Sequence, residues 1–200
     1  MSRLCSLRVI LASQSPARLG LLKQIGIEPS VIISDFEENL PKSLPPAQFV
    51  ERTAEGKLGV IEERLTKDKS MEWDVVVAAD TIIAFEGDII GKPIDEDDAR
   101  STLNRLSGNT HEVYTGVALL FKDGSKAIFH ERTKVVFRKL PSATIEGYIA
   151  SREPFGRAGS YGIGLKGIVL VDRIEGCFSN IVGLPLSRLA EKLEEKGITM

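Results

Sequence analysis

Residues 74–85 read Asp74-Val75-Val76-Val77-Ala78-Ala79-Asp80-Thr81-Ile82-Ile83-Ala84-Phe85. The run is β-branched and apolar on both faces, the pattern of a central strand covered on either side. One carboxylate sits in its middle. A charge among such neighbours is costly to bury without a partner, so Asp80 calls for a metal, a cation or a reacting group. Aspartates at strand ends commonly hold Mg²⁺ in phosphoryl chemistry. The plainer alternative ends the strand at Ala79 and lets Asp80 cap a turn. The apolar residues continuing after Thr81 favour the unbroken strand.

Outward from this strand, helical and extended patterns alternate. Residues 8–12 read as a short buried strand. Ser15 then suits an N-cap and Pro16 the first helical turn, where its missing N–H costs nothing. Leu19, Leu22, Lys23 and Ile25 follow at helical spacing, and Gly26 stops the helix. Residues 31–34 predict a second strand and 35–46 a polar, proline-bearing loop. A helix is expected over 47–67, weakened by Gly56 and Gly59. Past the central strand, a turn at 86–88 leads to Ile89-Ile90-Gly91-Lys92-Pro93, then a helix over 95–106 with an acidic first turn. Residues 111–121 and 126–138 predict a hairpin through Lys122-Asp123-Gly124-Ser125. A helix over 142–151, a glycine-rich stretch over 154–167, a strand over 167–174 and a closing helix over 185–196 complete the chain. The hairpin amid the alternation makes the expected fold α/β with a mixed sheet.

Composition narrows the classes. The chain has 200 residues, 42% hydrophobic and 27% charged, which fits one domain with a sizeable core and no need of staples. A net charge of -2 gives no argument for nucleic-acid binding. No apolar run is long enough to span a membrane. The apolar stretch within residues 1–12 is too short for a signal-peptide core. Cys5 and Cys177 show no metal spacing and suggest a reducing, cytoplasmic setting. His111 and His130 stand alone, which leaves no basis for zinc.

Other residues could carry chemistry. At the strand–SQSPAR–helix junction, a helix N-terminus presents unpaired N–H groups, Ser13 and Ser15 add hydroxyls, and Arg18 adds a planar cation suited to phosphate. The alternative is a capping serine and a solvated arginine. The glycines and Lys-Ser/Thr pair of a P-loop are absent. Lys92 lies on a rigid Gly-Lys-Pro turn, and Lys57 on a helix of mixed charge where an ordinary surface lysine is the commoner outcome. In residues 157–164 (RAGSYGIG), glycines allow close backbone approach and Tyr161 offers a stacking face and a hydroxyl. Asp35, Glu37 and Glu38 could ligate a metal or form a solvated acidic loop. His111 reads as structural and His130 as a surface strand residue. Together these residues describe an α/β enzyme acting on a phosphorylated small molecule with Mg²⁺.

The order LASQSPAR, AADTII, GKP, LSGNTHEVYTGVAL, EPFGRAGSYGI and NIVGLPLSRL, from Val9 to Leu189, resembles the Maf family of nucleotide pyrophosphatases. The resemblance implies an elongated mixed sheet with flanking helices in two lobes, similar to the inosine triphosphate pyrophosphatases. It also implies one Maf-like domain over residues 1–200 with its cleft between the lobes, and a homodimer. The implied activity is hydrolysis of a nucleoside triphosphate to the monophosphate and pyrophosphate, in a house-cleaning or cell-division-linked role. The ADT form with SYGI looks like the subfamily favouring dTTP and UTP, so dTTP, UTP or modified pyrimidine nucleotides are the expected substrates.

Carried onto this chain, the resemblance implies that Ser13, Ser15 and Arg18 bind the triphosphate, with Arg157 a further phosphate contact. Thr81 and Tyr161 join the substrate-binding set, Thr81 near the base. Ala17 stands where the family has an arginine, and Gly164 where it has a glutamine. Glu38 and Asp80 are implied as ligands of Mg²⁺, with Mn²⁺ as a substitute. Water would attack the α-phosphorus with Asp80 as base, while Lys57, Lys92 and Arg18 stabilise the leaving pyrophosphate. The departures at Ala17 and Gly164 motivate an alternative, a catalytically impaired nucleotide-binding regulator of cell division. A phosphatase or nucleotidyltransferase on the same cradle is the remaining class.

Overall fold

The computed structural model describes residues 7–37 and 39–199. Its strands are β1 (Val9–Leu11), β2 (Ser30–Val31), β3 (Val75–Phe85), β4 (Asp88–Ile90), β5 (Thr110–Phe121), β6 (Lys126–Phe137) and β7 (Val171–Glu175). The helices are α1 (Pro16–Gln24), α2 (Pro46–Lys67), α3 (Glu96–Leu106), α4 (Ser142–Ala150), α5 (Phe178–Val182) and α6 (Leu186–Glu194). The strands form one seven-stranded sheet in the order β2-β1-β3-β5-β6-β7, with β4 on β3. β1 pairs in parallel with β2 and β3, while β3–β4 and β6–β7 are antiparallel. The mixed α/β class expected from the alternation is the class observed.

The described residues divide into two compact units. The first takes the described residues up to Asp80, Thr115–Glu131 and those from Gly183 onward. Its core joins Ile10 of β1 and Ala12 just after it, Ala54, Leu58 and Ile61 of α2, Val76 and Ala78 of β3, and Ala118 and Leu120 of β5. Helix α2 runs unbroken through both glycines, and the packing explains Gly56. A Cβ there would lie 2.3 Å from the Phe36 ring, so the missing side chain is what seats Phe36 on the helix. Strand β5 approaches the backbone of α2 just as closely: a Cβ on Gly116 would fall 2.3 Å from the Val50 carbonyl. Only glycine permits a backbone approach of that kind.

The second unit takes Thr81–Tyr114 and Arg132–Val182. Its core gathers Ile83 and Phe85, one face of α3 (Ala99, Leu103, Leu106), Val113, Val135 and Phe137, and Ile145, Tyr148 and Ile149 of α4. Asp95 caps α3 by accepting the Asp98 N–H at 2.8 Å, and three acidic residues fill the first turn, as the sequence predicts. Glu86 and Gly87, at φ 52° and 86°, make the tight turn from β3 into β4.

Two expectations are corrected. The second strand stops at Val31 rather than Ser34, because the Arg64 guanidinium takes the Ile33 carbonyl at 2.7 Å and Asp35 turns to φ 45°. The strand expected over 167–174 begins only at Val171. Residues Lys166–Leu170 form a 3₁₀ turn instead, because the N–H groups of Lys166 and Gly167 are taken by the Glu153 carboxylate at 3.1 and 2.9 Å. Strand β4 and helix α5 lie in segments given no element from sequence, being three and five residues long.

Candidate active site

In the first unit, β1 delivers the chain into a turn that ends at the N-terminus of α1. Ser15 is the N-cap and Pro16 opens the helix. Ser13, buried at 9% exposure, accepts the Ser15 N–H at 3.2 Å and Nη1 of Arg18 at 3.0 Å. A hydroxyl with both lone pairs taken can only donate. Arg18 also donates Nε to the Gly183 carbonyl at 2.9 Å, so its planar cation is held at two points. The helix end, the Ser13 hydroxyl and this fixed guanidinium make a cradle for an oxyanion.

Asp80 lies on β3, 7% exposed, within a stretch of buried residues. Its Oδ1 accepts Nζ of Lys57, from α2, at 2.7 Å. The two side chains are only 10% and 12% exposed. The lysine is therefore the partner that the buried carboxylate required, and the reading of Lys57 as an ordinary surface lysine is overturned.

The carboxylate offers a hard oxygen donor. Magnesium is commonly held by one or two carboxylates together with phosphate oxygens and water, and Asp80 fits that pattern. Among the described residues no group of three His, Cys, Asp or Glu side chains assembles a ligand cage. Glu38 lies outside the described residues. Of its acidic neighbours, Asp35 pairs with Arg64 at 2.9 Å and Glu37 accepts Asn39 at 3.1 Å.

The second unit carries the other expected residues. Thr81 is half-buried on β3 and Lys92 is exposed just after β4. Arg157 is half-buried, with Nε donated to the Glu153 carbonyl at 3.0 Å. Tyr161 departs from expectation. It is 5% exposed, its hydroxyl lies 2.8 Å from Nε2 of His111, and its ring meets His111 and Phe137 edge-on. It is a core residue and offers no stacking face. Burial raises the Tyr161 phenol above its ordinary range and lowers His111 to about 4, so the imidazole is neutral. His111 is structural, as its isolation in sequence suggests.

Sequence reasoning missed Tyr148 and Glu153. Tyr148 donates to Glu153 Oε1 at 2.9 Å, and Glu153 also takes the two N–H groups named above. Burial works to raise the Glu153 carboxyl, but its donors outweigh that and hold it below the ordinary carboxylate value. The available signal was a Glu-Pro pair opening the glycine-rich run.

A mixed α/β fold with an oxyanion cradle at a helix N-terminus and a buried carboxylate–lysine pair on the central strand defines a protein built for phosphoryl chemistry. The family model described as Maf-like protein matches residues 8–196, and the chain belongs to that family. Among curated relatives, the dTTP/UTP pyrophosphatase of Acetivibrio thermocellus is 41% identical over 195 residues, covering 96% of this chain and 97% of its own. A dTTP/UTP pyrophosphatase of Bacillus cereus is 42% identical over 191 residues, covering 96% of each. Among solved structures, the Staphylococcus aureus Ham1 protein aligns over 65% of this chain and 71% of its own, at 14% identity and a TM-score of 0.41. So loose a likeness carries no argument.

Proposed function

We propose that this protein is a nucleoside triphosphate pyrophosphatase that hydrolyses dTTP and UTP, or modified pyrimidine nucleotides, to the monophosphate and pyrophosphate. The observation that carries the reading is the buried Lys57–Asp80 pair in the same unit as the Ser13–Arg18 cradle, in a chain about two-fifths identical to relatives that bear this activity's name.

In the proposed reaction Ser13, Ser15 and Arg18 bind the phosphates. Lys57 holds the Asp80 carboxylate in place through its 2.7 Å contact. Asp80 accepts a proton from water as the water oxygen bonds to the α-phosphorus. The α–β bridging bond breaks, and its electron pair leaves on pyrophosphate. Arg18, Lys92 and Arg157 neutralise phosphate charge, and Thr81 contacts the nucleotide near the base. A divalent cation, Mg²⁺ or Mn²⁺, held by Asp80, Glu38 and phosphate oxygens, supplies Lewis-acid polarisation of the phosphoryl group when bound.

A regulator without catalysis is not favoured, because the acid–lysine pair and the cradle both stand intact. The protein is further proposed to act as a cytoplasmic homodimer without nucleic-acid or membrane partners. Its small net charge of -2 supports the first exclusion, and no described helix is long and apolar enough to cross a membrane.

The test is a product assay with Mg²⁺ across dTTP, UTP, CTP, GTP, ATP and ITP, reading pyrophosphate and orthophosphate separately. Pyrophosphate release concentrated on dTTP and UTP is expected. Orthophosphate alone would make the protein a phosphatase. Nucleotide binding with no product under Mg²⁺ or Mn²⁺ would return the regulator reading.

A further inference from the structure

The glycine-rich stretch of the second unit is wound about two side chains. Tyr148, on α4, accepts the Gly162 N–H at 3.1 Å and donates to Glu153 at 2.9 Å. Glu153 accepts the N–H groups of Lys166 and Gly167, so one carboxylate ties together the two ends of residues 153–167. The fit leaves no slack. A Cβ on Gly167 would lie 2.7 Å from the Tyr148 hydroxyl, and one on Gly162 would lie 3.0 Å from Cδ and Nε of Arg157. The Arg157 side chain thus lies over Gly162, and its Nε is fixed on the Glu153 carbonyl at 3.0 Å.

Backbone conformation agrees. Arg152, Gly156, Gly159 and Ser160 all have positive φ, two of them without glycine's freedom. Such conformations persist only where the surroundings over-determine them, and they gather at functional sites.

We propose that Glu153, acting with Tyr148, is the positioning residue that holds Arg157 in its substrate-binding orientation. The inference rests on the pyrophosphatase reading above. A guanidinium recognises phosphate as a planar fork, so its worth depends on orientation as well as charge. Displacing it by about 1 Å costs on the order of 10²-fold in rate.

A double-mutant cycle on kcat/KM for dTTP separates positioning from general damage. Glu153→Ala is expected to lower kcat/KM by about 10²-fold. In an Arg157→Ala background the same change should alter it by less than about threefold, because the residue it positions is already gone. Losses that multiply would overturn the proposal, as would wild-type kcat/KM in Glu153→Ala. Should Glu153→Ala fail to fold, Tyr148→Phe against Arg157→Ala gives the same cycle. Glu153→Gln is the rescue control: its amide oxygen can still accept Tyr148 and Gly167, so it should retain most of the activity. Wild-type protein that releases no pyrophosphate would overturn the pyrophosphatase reading itself. An active wild type with an additive cycle would overturn only the role of Glu153.

Discussion

Replacing Lys57 by Met would leave the Asp80 carboxylate inside the first unit with its cation removed. Nζ and Oδ1 are 2.7 Å apart, and at an effective dielectric of about 20 their attraction is about 6 kcal/mol. Both ions gave up water to reach that position, side-chain exposure being 12% and 10%, so the pair's net worth is far smaller than its attraction. Removing one partner is the costly change, since the desolvation of the other is then uncompensated. Lys57→Met should therefore lose about 3–5 kcal/mol of unfolding free energy. The Lys57→Met/Asp80→Asn variant should recover most of that loss, because no unpaired charge remains. Turnover should follow a different pattern. It should fall by about 10²–10³-fold in Lys57→Met, and the double variant should not regain it. Urea unfolding at neutral pH reads the first quantity and pyrophosphate release the second. A Lys57→Met protein within about 0.5 kcal/mol of wild type would refute the buried pair, since a change that small is what an uncoupled surface site gives. Activity surviving in the double variant would refute the catalytic role while leaving the structural one.

Other consequences can be measured on the same protein. Gly116→Ala would press a Cβ to 2.3 Å from the Val50 carbonyl, where the obstacle is backbone rather than a movable side-chain end. A loss of about 3 kcal/mol, and a Tm lowered by about 10 °C, is expected. Gly59→Ala, with nothing within 4 Å of its Cβ, should instead stabilise α2 by about 1 kcal/mol. Equal Tm values for the two variants would contradict the packing described. His111 is 1% exposed and burial lowers it to about 4, against about 6.5 when unfolded. Its contribution is complete above pH ~6.5 and is lost as pH falls toward ~4, because the unfolded chain gains the proton first. The loss should total about 3 kcal/mol and be absent from the pH–stability profile of His111→Gln. A wild-type profile flat between those pH values would refute the neutral buried imidazole. Arg18→Lys keeps the charge but loses the two-point hold on Gly183 and Ser13. KM for dTTP should rise about tenfold with a smaller change in kcat, and an unchanged KM would show that orientation at this position is immaterial.

Much of the fold was legible because burial leaves a periodic trace. The central strand, α1, α2, α3, the β5–β6 hairpin and α4 lie close to where their patterns place them. Where the reading failed, a polar contact had decided the backbone. Residues 167–170 (GIVL) read as strand by composition, yet the N–H groups at their start go to Glu153 rather than to a neighbouring strand. Tyr161 sits in a glycine-rich run and reads as offering a stacking face and a hydroxyl, but that hydroxyl is claimed by His111, fifty residues earlier in the chain.

The candidate site divides along the same line. Asp80 could be singled out from its own neighbours, because a carboxylate in an apolar strand must be compensated by something. What compensates it lies 23 residues back on a helix of mixed charge, where Lys57 looks like any solvated lysine. Only the family resemblance marked it. Arg18 likewise announces a phosphate-binding cation, while the Gly183 carbonyl that aims it is 165 positions away. Glu153 was missed from the opposite side: in a polar, glycine-rich loop a carboxylate raises no question, since solvent answers for its charge. The demand made by a polar group is local and can be read wherever its neighbours are apolar. The group that meets the demand is chosen by the fold, so sequence identifies the buried acid before its base and the cradle before what steadies it.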